Sequence, residues 1–277
     1  MRGGVVLAFL RITGQAVPLS GCATDEGEAV SMIAELLARS GNTLLAGVAP
    51  DGKDYWARRF WDRDSAEAHP NLGDHFLAQK SLLADLIGEF GAGATDVLEF
   101  CCGTGELTRI TAGLPSVRTI TAVDISAQAL EHARERVDHD GLRLIEGDFW
   151  ADNGLAPTEL VLCVDAIHHL GDMPDVLRRL RSFVRPGGVL VGNIWTADNF
   201  HEFERIRYGR MSHLRRTAAF LGAAALIRLS GGRLKAGAYR TQLRRGVDAE
   251  RLLRNIFGEP LAIQHQRYFT GFVVRRS

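Results

Sequence analysis

The stretch Val97 to Thr108, VLEFCCGTGELT, decides the fold. An apolar run, Val97 to Phe100, breaks into two cysteines and a Gly-Thr-Gly before a polar segment begins. This is the pattern of a buried strand that turns through a glycine loop into a helix. Gly103 and Gly105 suit that turn, since a side chain there would collide with a ligand lying on the backbone. Working outward, from residue 96 short apolar runs alternate with amphipathic segments, the mark of a parallel sheet wound by helices on both faces. Strands are expected at Val97–Phe100, Thr119–Val123, Leu142–Ile145, Leu160–Val164 and Val189–Ile194, with Leu261–Gln264 and Phe269–Val274 closing a sheet of seven.

The intervening helices carry start and stop signals. Ser126 is placed to cap a helix bearing Leu130, Ala133 and Val137. Asp172 precedes one bearing Val176, Leu177, Leu180, Phe183 and Val184, with Pro186-Gly187-Gly188 expected to stop it. Asp248 is expected to cap a last helix bearing Leu252, Leu253, Ile256 and Phe257, ended by Gly258 and Pro260. Upstream, Asp25 and Glu28 make a capping-box-like start, and Val30, Ile33, Leu36 and Leu37 share a face until Ser40-Gly41-Asn42. A further helix places Phe76, Leu83, Ile87 and Phe90 together.

A chain of 277 residues, 46% hydrophobic with 33 basic and 33 acidic residues, can bury one sizeable core. Cysteines 22, 101, 102 and 163 form no CxxC pair and no cluster at metal-ligand spacing, so neither a disulfide framework nor a metal at Cys101-Cys102 is expected. A reducing cytoplasm fits best. No run approaches the roughly 20 apolar residues of a spanning helix. Leu19-Ser20-Gly21-Cys22 resembles a lipoprotein cleavage box, but Arg11 and Gln15 interrupt the apolar segment before it, and a loosely ordered leader or an upstream misassigned start is the preferred reading of residues 1–24.

The glycine loop lacks the last glycine of a dinucleotide fingerprint, because Thr108 stands there, and no Gly-Lys-Ser/Thr of a phosphate loop follows. Glu99 is an acid ending an otherwise apolar strand, costly to bury without a partner, and a cationic amine is the natural one.

VLEFCCGTGELT resembles the first motif of class I S-adenosylmethionine-dependent methyltransferases, of the small-molecule and quinone-biosynthesis branch. The likeness runs on through TAVDIS, EGDFW, LVLCVDAIHHL and VRPGGVLV in the same order. The resemblance implies a Rossmann-like α/β fold and S-adenosylmethionine as cofactor. It implies a cofactor site built from Glu99, Cys101, Gly103, Thr104, Gly105, Asp124, Ile125, Asp148, Phe149 and Asp165. Asp124, nineteen residues after Gly105, would take the two ribose hydroxyls, and two carboxylate oxygens matching two hydroxyls is the physical reason for an acid there. Asp148 would meet the adenine amine, with Phe149 or Trp150 against the ring. Cys101 departs from the glycine usual in the family and restricts the turn. His168 and His169 are candidates for a catalytic base, set against a role in shaping the pocket floor; His69 and His75 are weaker candidates. Tyr55, Trp56, Phe60 and Trp61 are candidates for an aromatic lid or for core packing.

The implied organisation is a leader and cap over residues 1–71, a methyltransferase domain over 72–277, and an arginine-rich helical insertion over 197–247 that covers the substrate. From Arg205 to Val247 the chain has eleven basic residues and no acidic one. Ala218 to Leu229 is apolar, so the block suits contact with an anionic membrane, a grip on an anionic soluble acceptor, or a solvated or oligomer-facing hairpin. The expected activity is methyl transfer to oxygen, nitrogen or carbon of a small lipophilic or anionic molecule in biosynthesis. A nucleic-acid methyltransferase using the basic block and a cofactor-binding protein without turnover are the alternatives.

Overall fold

The computed structural model describes residues 25–45, 55–152, 154–198, 200–231, 233–234, 243–266 and 268–277. The quoted stretch supplies the central strand, β1 (Asp96–Phe100), which pairs in parallel with β2 (Thr119–Asp124) on one side and β4 (Thr158–Cys163) on the other. Next to β2 lies β3 (Leu142–Glu146), and next to β4 lies β5 (Val184–Trp195). The antiparallel pair β6 (Ala262–His265) and β7 (Phe269–Arg275) completes a seven-stranded sheet in the order β3-β2-β1-β4-β5-β7-β6. The order reverses between β1 and β4, and at such a switch the loops diverge and leave a crevice beyond the strand ends.

Both sheet faces are apolar because β1, β4 and β5 are covered on both sides. Leu98, Phe100, Val161 and Leu190 pack with α6 (Met173–Phe183) and α9 (Gly246–Phe257). Val97, Ile120, Leu160 and Val191 pack with α3 (Gly73–Gly91), whose Leu83 and Ile87 are fully buried. Two short helices bracket the glycine loop, α4 (Glu106–Ala112) and α5 (Ala127–Arg136), and Ser126 caps α5 by accepting from the Ala129 amide.

Three helix signals were overridden. The first helix, α1 (Asp25–Leu44), runs straight through Ser40-Gly41-Asn42. A Cβ on Gly41 would lie 2.5 Å from the ring of Phe220, so the glycine serves a close approach to α8 (Arg210–Leu229) and not a stop. The buried face of α1 is correspondingly the small one, Ala34, Ala38 and Gly41, while Ile33 and Leu36 are exposed. The capping expected of Asp25 and the leader before it lie outside the described side chains. Asp248 sits inside the first turn of α9, whose N-cap is Arg245, where its charge still favours the helix N-terminus. Pro186-Gly187-Gly188 falls within β5, because α6 already ends at Phe183 and Val184 is extended.

Gly105 does not face the crevice. It has φ 79°, and a Cβ there would lie 2.9 Å from Cβ of Ala133, so its missing side chain lets α5 pack on the loop. Gly105→Ala combines left-handed strain with an overlap and should cost about 2 kcal/mol or more. Urea unfolding will show this as a lower midpoint at unchanged slope.

Candidate functional site

The crevice is a cavity of about 360 Å³ beyond the ends of β1, β2 and β4. One wall is the loop after β1. Cys101 (φ 56°) and Gly103 (φ 54°) both take left-handed backbone, which turns the chain sharply away from the strand. The loop is fixed by Asp124, whose Oδ2 accepts from the Gly103 amide at 2.8 Å and whose Oδ1 accepts from the Ser126 amide at 2.9 Å. Burial pushes the Asp124 carboxyl up, and these amides hold it back. Each oxygen retains lone-pair capacity toward the cavity.

Of the residues named from sequence, Cys101, Gly103, Asp124, Ile125, Asp148, Phe149, Asp165 and His169 line this cavity. So do Trp56, Phe60, Trp61 and Trp150. Asp148 accepts from the Trp150 amide at 2.9 Å, and the Trp150 indole donates to the Leu170 carbonyl at 2.7 Å, which sets the ring at the rim. Tyr55 is edge-on to Trp56 and does not line the cavity. His69 and His75 are also away from it.

Thr104 is buried and accepts from Arg136 at 2.8 Å, so it faces α5. His168 is buried beneath the floor with its ring stacked on Trp195, and burial lowers its pKa to about 3. His169 reaches the cavity and stacks on Trp56, but burial and then the neighbouring His168 hold it well below the ordinary imidazole range. Neither histidine is poised to take a proton near neutrality.

Glu99 is 2% exposed and turned from the cavity, with its carboxyl accepting from the Thr108 hydroxyl at 2.7 Å. The partner that this buried acid has in the structure is thus on α4, nine residues on. Burial raises its pKa to about 8, opposed by the Thr108 bond and assisted by Asp124, so Glu99 is protonated at neutral pH.

Asp165 also has left-handed backbone, φ 53°, and its carboxylate is saturated. Oδ2 accepts from Arg63 at 2.5 Å, and Oδ1 accepts from Gln79 at 3.0 Å, Asn193 at 2.7 Å and the Trp195 indole at 2.9 Å. Burial pushes this carboxyl up, but the Arg63 charge and the Asn193 and Trp195 bonds outweigh it and hold the group below the usual range. Sequence reasoning missed Arg63. It opens α2 (Arg63–Glu67), 102 residues from its partner, and nothing local marks it.

A doubly wound sheet in this order, with a glycine loop after the central strand and an acid ending the next, is the architecture of class I methyltransferases. A family model described as a methyltransferase domain matches residues 98–190. The malonyl-[acyl-carrier protein] O-methyltransferase of Halalkalibacterium halodurans is 31% identical over 160 residues, covering 52% of this chain and 59% of that protein. The trans-aconitate 2-methyltransferase of Delftia acidovorans is 28% identical over 138 residues, covering 50% and 51%. The chain spans about half the length of the curated relatives it matches. Magnesium protoporphyrin IX methyltransferase from Synechocystis PCC 6803 with bound S-adenosylmethionine superposes with a TM-score of 0.54 at 13% identity, over 83% of this chain and 99% of that one.

Glu99 yields a pH prediction. Its folded pKa, about 8, lies above the ordinary 4.5, so between these values the folded state binds more protons and stability falls as pH rises. Glu99→Gln removes this dependence. Its melting temperature should decline less than the wild type's between about pH 5 and 8, and parallel curves would contradict the assignment.

Proposed function

We propose that this protein transfers the methyl group of S-adenosylmethionine to a small molecule. The observation that carries the reading is Asp124, an acid with spare lone pairs at the end of β2, held by the loop amide of Gly103 inside an aromatic cavity. The lining fits the cofactor's parts. Asp124 suits a ribose diol, Phe149 and Trp150 offer faces and Asp148 an acceptor for the adenine, and Gly103 leaves room over the backbone. Trp56, Phe60 and Trp61 supply aromatic surface suited to a sulfonium. When bound, the cofactor supplies an already activated methyl group, so the work of the chain is to orient the acceptor in line with it and to exclude water.

In this reading residues 72–277 are the catalytic domain and residues 1–71 a leader and cap. The 197–247 insertion supports its cover through Phe203 of α7 (Phe200–Tyr208), which is buried against Trp195, Tyr268 and Phe76. None of its described residues lines the cavity itself. A cytoplasmic location accords with Cys101, Cys102 and Cys163, all free thiols.

A peripheral membrane contact is a second part of the proposal. No described helix is long and apolar enough to cross a membrane. However, α1 exposes Met32 and Leu36, and α8 exposes Leu226 and Leu229 beside Arg228, a composition suited to an anionic surface.

Two measurements test these points. Calorimetric titration of S-adenosylhomocysteine should give micromolar binding to the wild type and a loss of about tenfold or more in Asp124→Ala. No heat with the wild type would refute the cofactor reading. Sedimentation with anionic vesicles should exceed that with neutral vesicles and weaken with salt, and salt-independent or absent pelleting would refute the membrane contact.

A further inference from the structure

Among the described residues, six ionisable side chains line the cavity: Arg59, Cys101, Asp124, Asp148, Asp165 and His169. Five of them are unsuited to removing a proton from an acceptor. Asp165 has its lone pairs occupied by four donors. Asp124 is committed to the loop amides and, in the reading above, to the ribose. Asp148 stands at the Trp150 rim on the adenine side. The Cys101 thiol is pushed up by its hydrogen bond to the Cys163 thiol and by burial, and burial and the neighbouring His168 hold His169 toward its neutral form.

Arg59 is the sixth and differs from all of them. It comes from the cap, its guanidinium rests 4.4 Å over the Tyr55 ring, and no carboxylate among the described residues pairs with it. Arg63, by contrast, is consumed by Asp165 and Gln79. Among the described residues, the cavity thus presents a cation with no carboxylate paired to it and no carboxylate free of other commitments. Alcohols and phenols would need a base. Amines would arrive protonated and be repelled by Arg59. A carboxylate is already ionised, and its two oxygens match the guanidinium fork.

We propose that the methyl acceptor is a carboxylate, held from the cap side by Arg59 and converted to a methyl ester without a general base. The proposal rests on the cofactor reading given above. One carboxylate oxygen forms the new bond to the methyl carbon as the bond from that carbon to the donor sulfur breaks. The electron pair stays on sulfur, the sulfonium becomes a neutral thioether, and no proton moves. Opposite charges cancel along this path, so an aromatic cavity raises the ion pair more than the transition state and favours reaction. Arg59 stabilises the charged acceptor more than the charge-depleted transition state, so its removal should raise KM and leave kcat no lower than in the wild type.

The test is a panel of mono-, di- and tricarboxylates, phenols and primary amines offered with S-adenosylmethionine, together with calorimetry on wild type, Arg59→Ala and Arg59→Lys. The expected products are base-labile methyl esters of acids, with kcat/KM flat from about pH 6 to 9. Arg59→Ala should raise acceptor KM about tenfold or more, with partial recovery in Arg59→Lys and unchanged affinity for S-adenosylhomocysteine. The same acid titrated into protein loaded with S-adenosylhomocysteine should bind the wild type and not Arg59→Ala. Turnover of phenols or amines alone, a rate rising with pH, or no acid methylated by protein that binds S-adenosylhomocysteine would overturn the proposal. Weaker S-adenosylhomocysteine binding in Arg59→Ala would assign Arg59 to the cofactor and overturn it as well. Absence of S-adenosylhomocysteine binding to the wild type would instead strike the underlying cofactor reading.

Discussion

The buried ion pair between Arg63 and Asp165 is the constraint on which the site depends. Each charge alone would cost several kcal/mol to remove from water, and the pair persists because Gln79, Asn193 and the Trp195 indole fill the remaining positions. Such an arrangement contributes geometry more than stability. It joins α2 to the residues just after β4, to α3 and to β5 at one point. The next residue, Asp64, is tied at 2.7 Å to Arg136 on α5, so neighbouring cap residues grip elements on opposite sides of the glycine loop. Two residues before Arg63, the Trp61 carbonyl lies over Gly103, 3.8 Å from where a Cβ would stand. Roof and loop are therefore positioned together.

The same burial sets the electrostatics. Taking Glu99, His168 and His169 out of water favours their neutral forms, while Asp165 stays ionised only because Arg63 and its hydrogen bonds compensate. What remains at the cavity is a small set of charged side chains: Asp124 at the end of β2, Asp148 on the loop after β3, Asp165 paired with Arg63, and Arg59. Such a site orients charged ligands well and shuttles protons poorly.

The strands and the glycine loop were legible because period and punctuation are local properties, and β1, β2 and β5 fall within a few residues of the apolar runs that mark them. Asp124 was legible through the motif TAVDIS, whose resemblance to the family places an acid at the end of the second strand, where β2 ends. Glu99 was read correctly as an acid needing a partner, but the partner is a hydroxyl brought round by α4, and its identity depends on how that helix turns over the strand. Arg63 and Asp165 meet only through the tertiary fold. Gly41 and Gly105 carry helix contacts that no spacing encodes, since the neighbours they admit, Phe220 and Ala133, are set by packing between helices.

Cys101 shows how these layers combine. A left-handed φ on a residue with a Cβ costs on the order of 1 kcal/mol, and glycine would avoid it. The turn is nevertheless dictated from both sides: β1 is locked in register with β2 and β4 up to Phe100, and Asp124 holds the Gly103 amide two residues later. With so short a span the backbone has little freedom, and the side chain must follow. It lies against the buried cluster that contains Cys163 while also lining the cavity. The thiol offsets part of the strain by filling space that a glycine would leave open, and it places a polarisable wall beside the ligand. A β-branched residue could not make this exchange, because its second branch would meet the carbonyl that the left-handed turn brings close. The departure from glycine is therefore compatible with an intact loop, and it narrows the cavity where loop and floor meet.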